Sequence, residues 1–205
     1  MLQKLLNLLR GFFKREKKLS LGFYGPVNAG KSTLANRFCR DFVGCELSAV
    51  SEVPHETRSV QQKQGVVMRV NGKSLVVDVV DLPGVASKID YREFQAWGLE
   101  KEAAQQRAKE AAKGVVEAIK WLDEVDAALV VMDSTRDPVT QVNLALLSNI
   151  EARGIPVIIV ANKVDDDKAR VDKICEAFPN HTVLGVSALT GENMPKLYEA
   201  IAEKF

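Results

Sequence analysis

The sequence predicts an α/β fold: a mostly parallel six-stranded sheet with one antiparallel strand and helices on both faces. Three observations carry this. Short apolar runs of strand length alternate with helical stretches along most of the chain. A single Asn-Gly pair, Asn71-Gly72, separates two apolar runs and marks one hairpin, hence one antiparallel strand. Polar clusters follow several apolar runs directly, at the strand C-termini where ligands bind in open α/β sheets.

Taken in order, residues 2 to 18 read as a basic amphipathic helix, a unit separate from residues 19 to 205. Leu2, Leu5, Leu6, Leu9, Phe12 and Phe13 fall on one face, with Lys4, Asn7, Arg10 and Lys14 opposite. Two readings stand side by side. The helix lies in an anionic membrane surface, its basic rim facing the headgroups. Alternatively it docks on its own domain or on a partner. A strand follows at 19 to 24, then a glycine-rich turn and a helix at 34 to 39. Residues 41 to 55 have few periodic cues. Strands at 64 to 70 and 73 to 80 flank the Asn-Gly turn. Residues 91 to 126 form a long Ala-rich helix, buried along Ala104, Ala108, Ala111, Val115, Ile119 and Leu122. A strand at 127 to 132 leads to a helix that Pro138 opens and Gly154 stops. A strand at 157 to 161, a helix at 166 to 178, a strand at 182 to 186 and a helix at 195 to 205 complete the chain.

The 205 residues suit one domain with an appendage, and 46% hydrophobic with 27% charged residues is ordinary for a globular protein. The net charge of +1 gives no general attraction to nucleic acid. The basic excess sits in residues 1 to 18, where Lys4, Arg10, Lys14, Arg15, Lys17 and Lys18 face Glu16 alone. No run is apolar enough to span a bilayer, and no signal-peptide pattern is present. Cys39, Cys45 and Cys175 lack paired or metal spacing and read as buried thiols of a reducing compartment. These features point to the cytoplasm, with peripheral membrane attachment through residues 1 to 18 under the first reading of that helix.

The chemistry begins at residues 25 to 33. Gly25, Gly30, Lys31 and Ser32 form the pattern G-x4-G-K-S, set between a strand and a helix. This is the phosphate-binding loop of a P-loop NTPase. Glycines let the backbone fold into a nest of N–H groups at a helix N-terminus. Asn28, Ala29, Gly30, Lys31, Ser32 and Thr33 are the residues expected around the phosphates. Lys31 reaches the β- and γ-phosphates, and Ser32 ligates Mg²⁺. Pro26, with no N–H, lies where the loop needs no donor.

A second cluster, Asn162-Lys163-Val164-Asp165, reads as N-K-x-D. A carboxylate at Asp165 can accept from N1–H and the 2-amino group of guanine. Adenine offers neither donor there and would leave the carboxylate unpaired. Asn162 can bond the N7/O6 side of the base or tie neighbouring loops together. Lys163 can lay its alkyl stem over the ring. The backbone at Ser187-Ala188 can offer an N–H to guanine O6.

The series G-x4-GKS, Thr57, D-x-P-G at 81 to 84, NKVD and SA resembles the translation-factor class of GTPases, in particular the Era/TrmE/EngA-like family, over about residues 19 to 205. The resemblance implies a GTP-binding protein that hydrolyses GTP to GDP and phosphate with Mg²⁺ and acts as a nucleotide-dependent switch. Lys31, Thr57 and Gly84 are then catalytic. Thr57 matches the first-switch threonine, which reaches Mg²⁺ and closes over the γ-phosphate. Asp81 matches the second-switch aspartate, which holds Mg²⁺ through water. Gly84 matches the glycine whose N–H meets the γ-phosphate. Val85 follows it and cannot orient a water, so intrinsic hydrolysis is expected to be slow. TrmE-type members hold K⁺ beside the phosphates partly with an asparagine that Asn28 matches, which implies K⁺ stimulation. A nucleotide-dependent dimer and an effector protein are further implied partners. The sequence ends at Phe205 without an added RNA-binding module, so a nucleic-acid partner is not expected. The segment from Gly84 to Ala127, with Trp97 and Trp121, reads as an extended second switch or a partner surface. Alternatives to the switch are a GTP-loaded scaffold that scarcely hydrolyses, or a ribosome-associated factor.

Overall fold

In the computed structural model, residues 17–47, 59–85, 98 and 100–205 are described. Residues 2 to 16 of the expected N-terminal helix, Thr57 and Trp97 lie outside them. Strand β1 spans Lys17–Tyr24, two residues earlier than the sequence boundary, so Lys17 and Lys18 belong to the sheet. The remaining elements are α1 Lys31–Val43, β2 Gln61–Val70, β3 Lys73–Asp81, α2 Lys101–Lys120, β4 Ala127–Asp133, α3 Gln141–Ala152, β5 Val157–Asn162, α4 Val171–Ala177, β6 Val183–Val186 and α5 Met194–Lys204.

The six strands form one sheet in the order β2-β3-β1-β4-β5-β6. Every pairing is parallel except β2 with β3. The Asn-Gly turn behaves as the sequence predicts, with Asn71 and Gly72 both at positive φ, 49° and 76°. The β2/β3 register shifts between Lys63 and Val66. Gly65 sits in that irregularity at φ 70°, and its N–H donates to Asp78 Oδ1 at 2.9 Å.

Two apolar layers follow from the two-residue repeat of the strands. Leu21, Phe23, Val77, Val79, Leu129, Val131, Ile158 and Val160 face α1 and α5. Tyr24, Val80, Ala128, Val130, Met132 and Ile159 face the other way, toward α2, α3 and α4. β4 and β5 are buried along their whole length. A strand covered on both faces reads as an unbroken apolar run, which is how both appear in the sequence.

Some expectations shift. The long helix is regular over Lys101–Lys120 and tightens into a 3-10 turn at Trp121–Asp123. Ala104 and Leu122 are buried, but Ile119 is exposed and Ala118 takes the inward position. Ala118 lies three residues after Val115 and four before Leu122, the ordinary spacing of one helix face, so the stripe passes through Ala118 and not Ile119. Trp121 packs partly buried against the second layer. Between α2 and α3 lies a groove of about 240 Å³ lined by Val85, Val115, Ile119, Leu122, Val142 and Leu146. Helix α3 starts three residues after Pro138, capped by Thr140, whose Oγ1 accepts from Asn143 N–H. Helix α4 is shorter than expected because residues 166 to 170 form turns instead, with Asp166 accepting from Lys168 N–H and Ala169 N–H. Of the cysteines only Cys39 is buried; Cys45 and Cys175 are exposed.

Candidate functional site

The site assembles at the C-terminal ends of β1, β3, β4 and β5. β1 runs into the phosphate loop with Gly25 at φ 147°, Asn28 at 62° and Gly30 at 89°. These left-handed values suit glycine and asparagine, and the sequence places those residues there. Asn28 is exposed at the loop tip and Ala29 is fully buried. Gly30 caps α1, whose first turn carries no acidic residue, so the helix N-terminus faces the loop with its positive end uncompensated.

Lys31 is 6% exposed and donates to Pro26 O at 2.9 Å. Pro26 therefore serves the loop as an acceptor, receiving Lys31 and, at 3.4 Å, Ala29 N–H. Burial pushes the Lys31 amine down to about 8, while the nearby Asp81 charge acts in the opposite direction. Asp81 is fully buried as the last residue of β3. The following Leu82-Pro83-Gly84 packs back on the loop. A Cβ at Gly84 would lie 2.9 Å from Val27 Cα, so only glycine allows this approach. Val85 N–H donates to Gly25 O at 3.1 Å, which fastens the segment to the loop.

The base-side motif is joined to this loop by one side chain. Asn162, buried at the end of β5, donates from Nδ2 to Ala29 O at 2.9 Å and accepts at Oδ1 from Ala188 N–H at 3.0 Å. Of the two roles expected for Asn162, tying the loops is the one seen. A Cβ at Gly30 would collide with the same amide, which accounts for the second glycine of the pattern. Lys163 adopts φ 69° and its ammonium meets Asp133 Oδ2 at 2.7 Å. Asp165 is exposed beyond it.

The Ser187-Ala188 backbone is held by contacts within the protein. Ser187 N–H donates to Glu192 O at 3.0 Å, and Ala188 N–H is held by Asn162. Both donors are engaged within the protein. Ser187 Oγ also accepts from Thr190 N–H at 3.0 Å, which closes the loop on itself.

Sequence reading missed Asp133. It ends β4, is 7% exposed, and accepts from Lys163, from Thr135 N–H at 3.0 Å and from Thr135 Oγ1 at 2.7 Å. Burial works against its charge, but hydrogen bonds from Lys163 and Thr135 outweigh it and hold the carboxyl below its ordinary value. The one available signal was its place at a strand C-terminus, matching Asp81 on β3 and Asn162 on β5.

The phosphate loop with its buried lysine and the N-K-x-D turn thus lie side by side, joined through Asn162. The family described as "50S ribosome-binding GTPase" matches residues 20–163. The chain belongs to this GTPase family. Solved structures agree on the fold. The chain is similar to a point variant of Aquifex aeolicus Era bound to GDP.AlF4⁻, at 22% identity and a TM-score of 0.71, covering 92% of this chain and 57% of that one. It is similar to Era in complex with MgGDPNP and nucleotides 1506-1542 of 16S ribosomal RNA, at 23% identity and a TM-score of 0.70, covering 93% and 57%. A probable GTP-binding protein engB aligns at 20% identity and a TM-score of 0.57, covering 90% and 97%. The GTPase spans little more than half the length of the Era chains. No curated protein sequence matches it.

The residues fit Mg²⁺. Asp81 and the Ser32 hydroxyl are hard oxygen donors on either side of the phosphate loop, and no group of three or more His, Cys, Asp or Glu among the described residues forms a metal cage. A cation held by one or two protein oxygens plus phosphate oxygens is the usual Mg²⁺ arrangement.

Proposed function

We propose that this protein binds GTP with Mg²⁺, hydrolyses it to GDP and phosphate, and works as a nucleotide-dependent switch. The observation that carries the reading is the Asn162 side chain, which joins the phosphate loop to the Ser187-Ala188 turn and so gives both ends of a guanine nucleotide one rigid frame. Lys31, the loop N–H groups and the α1 N-terminus neutralise the phosphates. Ser32, Asp81 and Thr57 would hold Mg²⁺, which would supply positive charge against the charge that develops on the phosphates. Gly84 brings its N–H to the γ-phosphate, and Asp165 reads the guanine edge.

Val85 bears on the rate. Its N–H is tied to Gly25, and its side chain lines the groove between α2 and α3. It supplies no polar group to orient water, which favours slow intrinsic turnover. That same observation supports the second reading, a GTP-loaded scaffold. Asn28, exposed in the left-handed region at the loop tip, is the candidate K⁺ contact and the basis for K⁺ stimulation. The third reading, association with the ribosome, draws its support from the family description and the RNA-bound Era structure. Residues 1 to 18, whose last two begin β1, are the proposed contact with an anionic membrane, a partner or the domain itself. The cytoplasm is the proposed location.

Calorimetry with Mg²⁺ tests the binding reading: GTP and GDP should bind, and ATP should bind at least a hundredfold more weakly. Equal binding of ATP contradicts it. Multiple-turnover phosphate release in KCl and in NaCl then separates switch from scaffold and tests the K⁺ role. Co-sedimentation with ribosomal subunits and with anionic vesicles tests the two partner surfaces.

A further inference from the structure

We propose that Asp133 is a positioning residue for the nucleotide base. Thr135 fixes its carboxylate, the carboxylate pins the Lys163 ammonium, and the pinned lysine presents its alkyl stem as a wall for the purine ring. The inference deepens the guanine-binding reading above and rests on it.

The geometry separates this contact from an ordinary surface ion pair. Exposed pairs contribute little because both long side chains stay mobile and hydrated. Here the Asp133 side chain is 6% exposed and that of Lys163 is 37% exposed. The carboxylate is not free to follow the lysine. Its Oδ1 is held by both the N–H and the hydroxyl of Thr135, two residues along the chain. Oδ2 is left to receive Lys163. Arg136 approaches the same oxygen from solvent at 3.4 Å, with a side chain 68% exposed.

The sheet puts these residues together. Parallel pairing sets Asp133 opposite Asn162, so the next residue of β5's extension, Lys163, leaves the sheet beside the end of β4. Its left-handed backbone turns the chain there. One residue earlier, Asn162 is locked to the phosphate loop. The lysine is therefore fixed at its backbone by Asn162 and at its head by Asp133, with only the methylenes between them left to offer. A side chain ordered before its ligand arrives loses less freedom on binding, and that difference shows as affinity.

The test uses the full chain and two probes, GDP and inorganic tripolyphosphate, each with Mg²⁺. Lys163→Met and Asp133→Asn should each weaken GDP binding roughly five- to tenfold, with tripolyphosphate held within about twofold. The double variant should bind GDP no more weakly than the worse single variant, since both remove one device. Thr135→Val should lose about threefold on GDP, and Thr135→Ser, which keeps the hydroxyl, should recover it. Losses that multiply in the double variant overturn the proposal. So does an equal loss on tripolyphosphate, which would mark a general distortion of the pocket, or normal GDP binding by Asp133→Asn beside a weakened Lys163→Met. If Lys163→Met itself binds GDP normally, the lysine's contact with the base falls and the inference falls with it.

Discussion

Lys31 is held in a place where its charge is costly. In the unfolded chain its amine titrates near 10.5, and in the folded protein burial brings it to about 8. Between those values the unfolded chain holds more protons, so the stability of the unliganded protein rises as pH climbs from about 8 toward 10.5. Below about 8 both states are charged and the full cost of burial applies. A phosphate facing the amine favours its charged form. Nucleotide affinity should therefore be level below about pH 8 and fall above it, and Lys31→Met should remove the fall. GDP titrations from pH 7 to 9, below the range in which guanine N1–H ionises, check this; an affinity level up to pH 9 contradicts it. Asn162 carries a different burden. Replacing it by alanine strips partners from the Ala29 carbonyl and the Ala188 N–H, both buried. Each orphaned group costs on the order of 1–3 kcal/mol. Asn162→Ala should lower urea-unfolding stability by about 2 kcal/mol or more and weaken GDP as well.

At the scale of elements, α1 and α5 are joined by an aromatic cluster beneath the site. Phe38 meets Tyr198 edge-on at 5.6 Å, and Phe42 meets Tyr198 at 4.8 Å. Tyr198 donates its hydroxyl to Asp41 Oδ2 at 2.6 Å. Burial and that hydrogen bond push the phenol well above its ordinary range. Phe38→Ala should cost about 3–5 kcal/mol by leaving a cavity, whereas Tyr198→Phe should cost about 1 kcal/mol. Thermal or urea unfolding resolves the two. Strands were the most legible elements, since β4 and β5 are apolar along their whole length. Helix ends were least legible. Residues 166 to 170 have helical composition, but Arg170 N–H bonds to Ser134 O, and the chain is drawn across the top of β4 before α4 begins. A contact with a distant strand leaves no local trace in the sequence.

For the whole molecule, legibility divides along the same line. The phosphate loop, Asp81, Gly84 and the N-K-x-D turn could be read because each announces itself by local spacing after an apolar run. Asp133 could not, because its importance comes from lying beside Lys163 across a parallel pairing. The engagement of Ala188 N–H was hidden for the same reason: its acceptor is 26 residues away. A bound nucleotide should stabilise the whole fold at once. At a hundred times its dissociation constant, GDP should add about 2.7 kcal/mol and raise the melting temperature, while ADP at the same concentration should leave it unchanged.

Asn162 gives that cooperativity a kinetic face. A guest that slipped from one end of its berth would slacken the other end through the same amide. Departure should then be all-or-none: stopped-flow release of a fluorescent GDP should follow one exponential, with no half-unmoored form lingering on the way out.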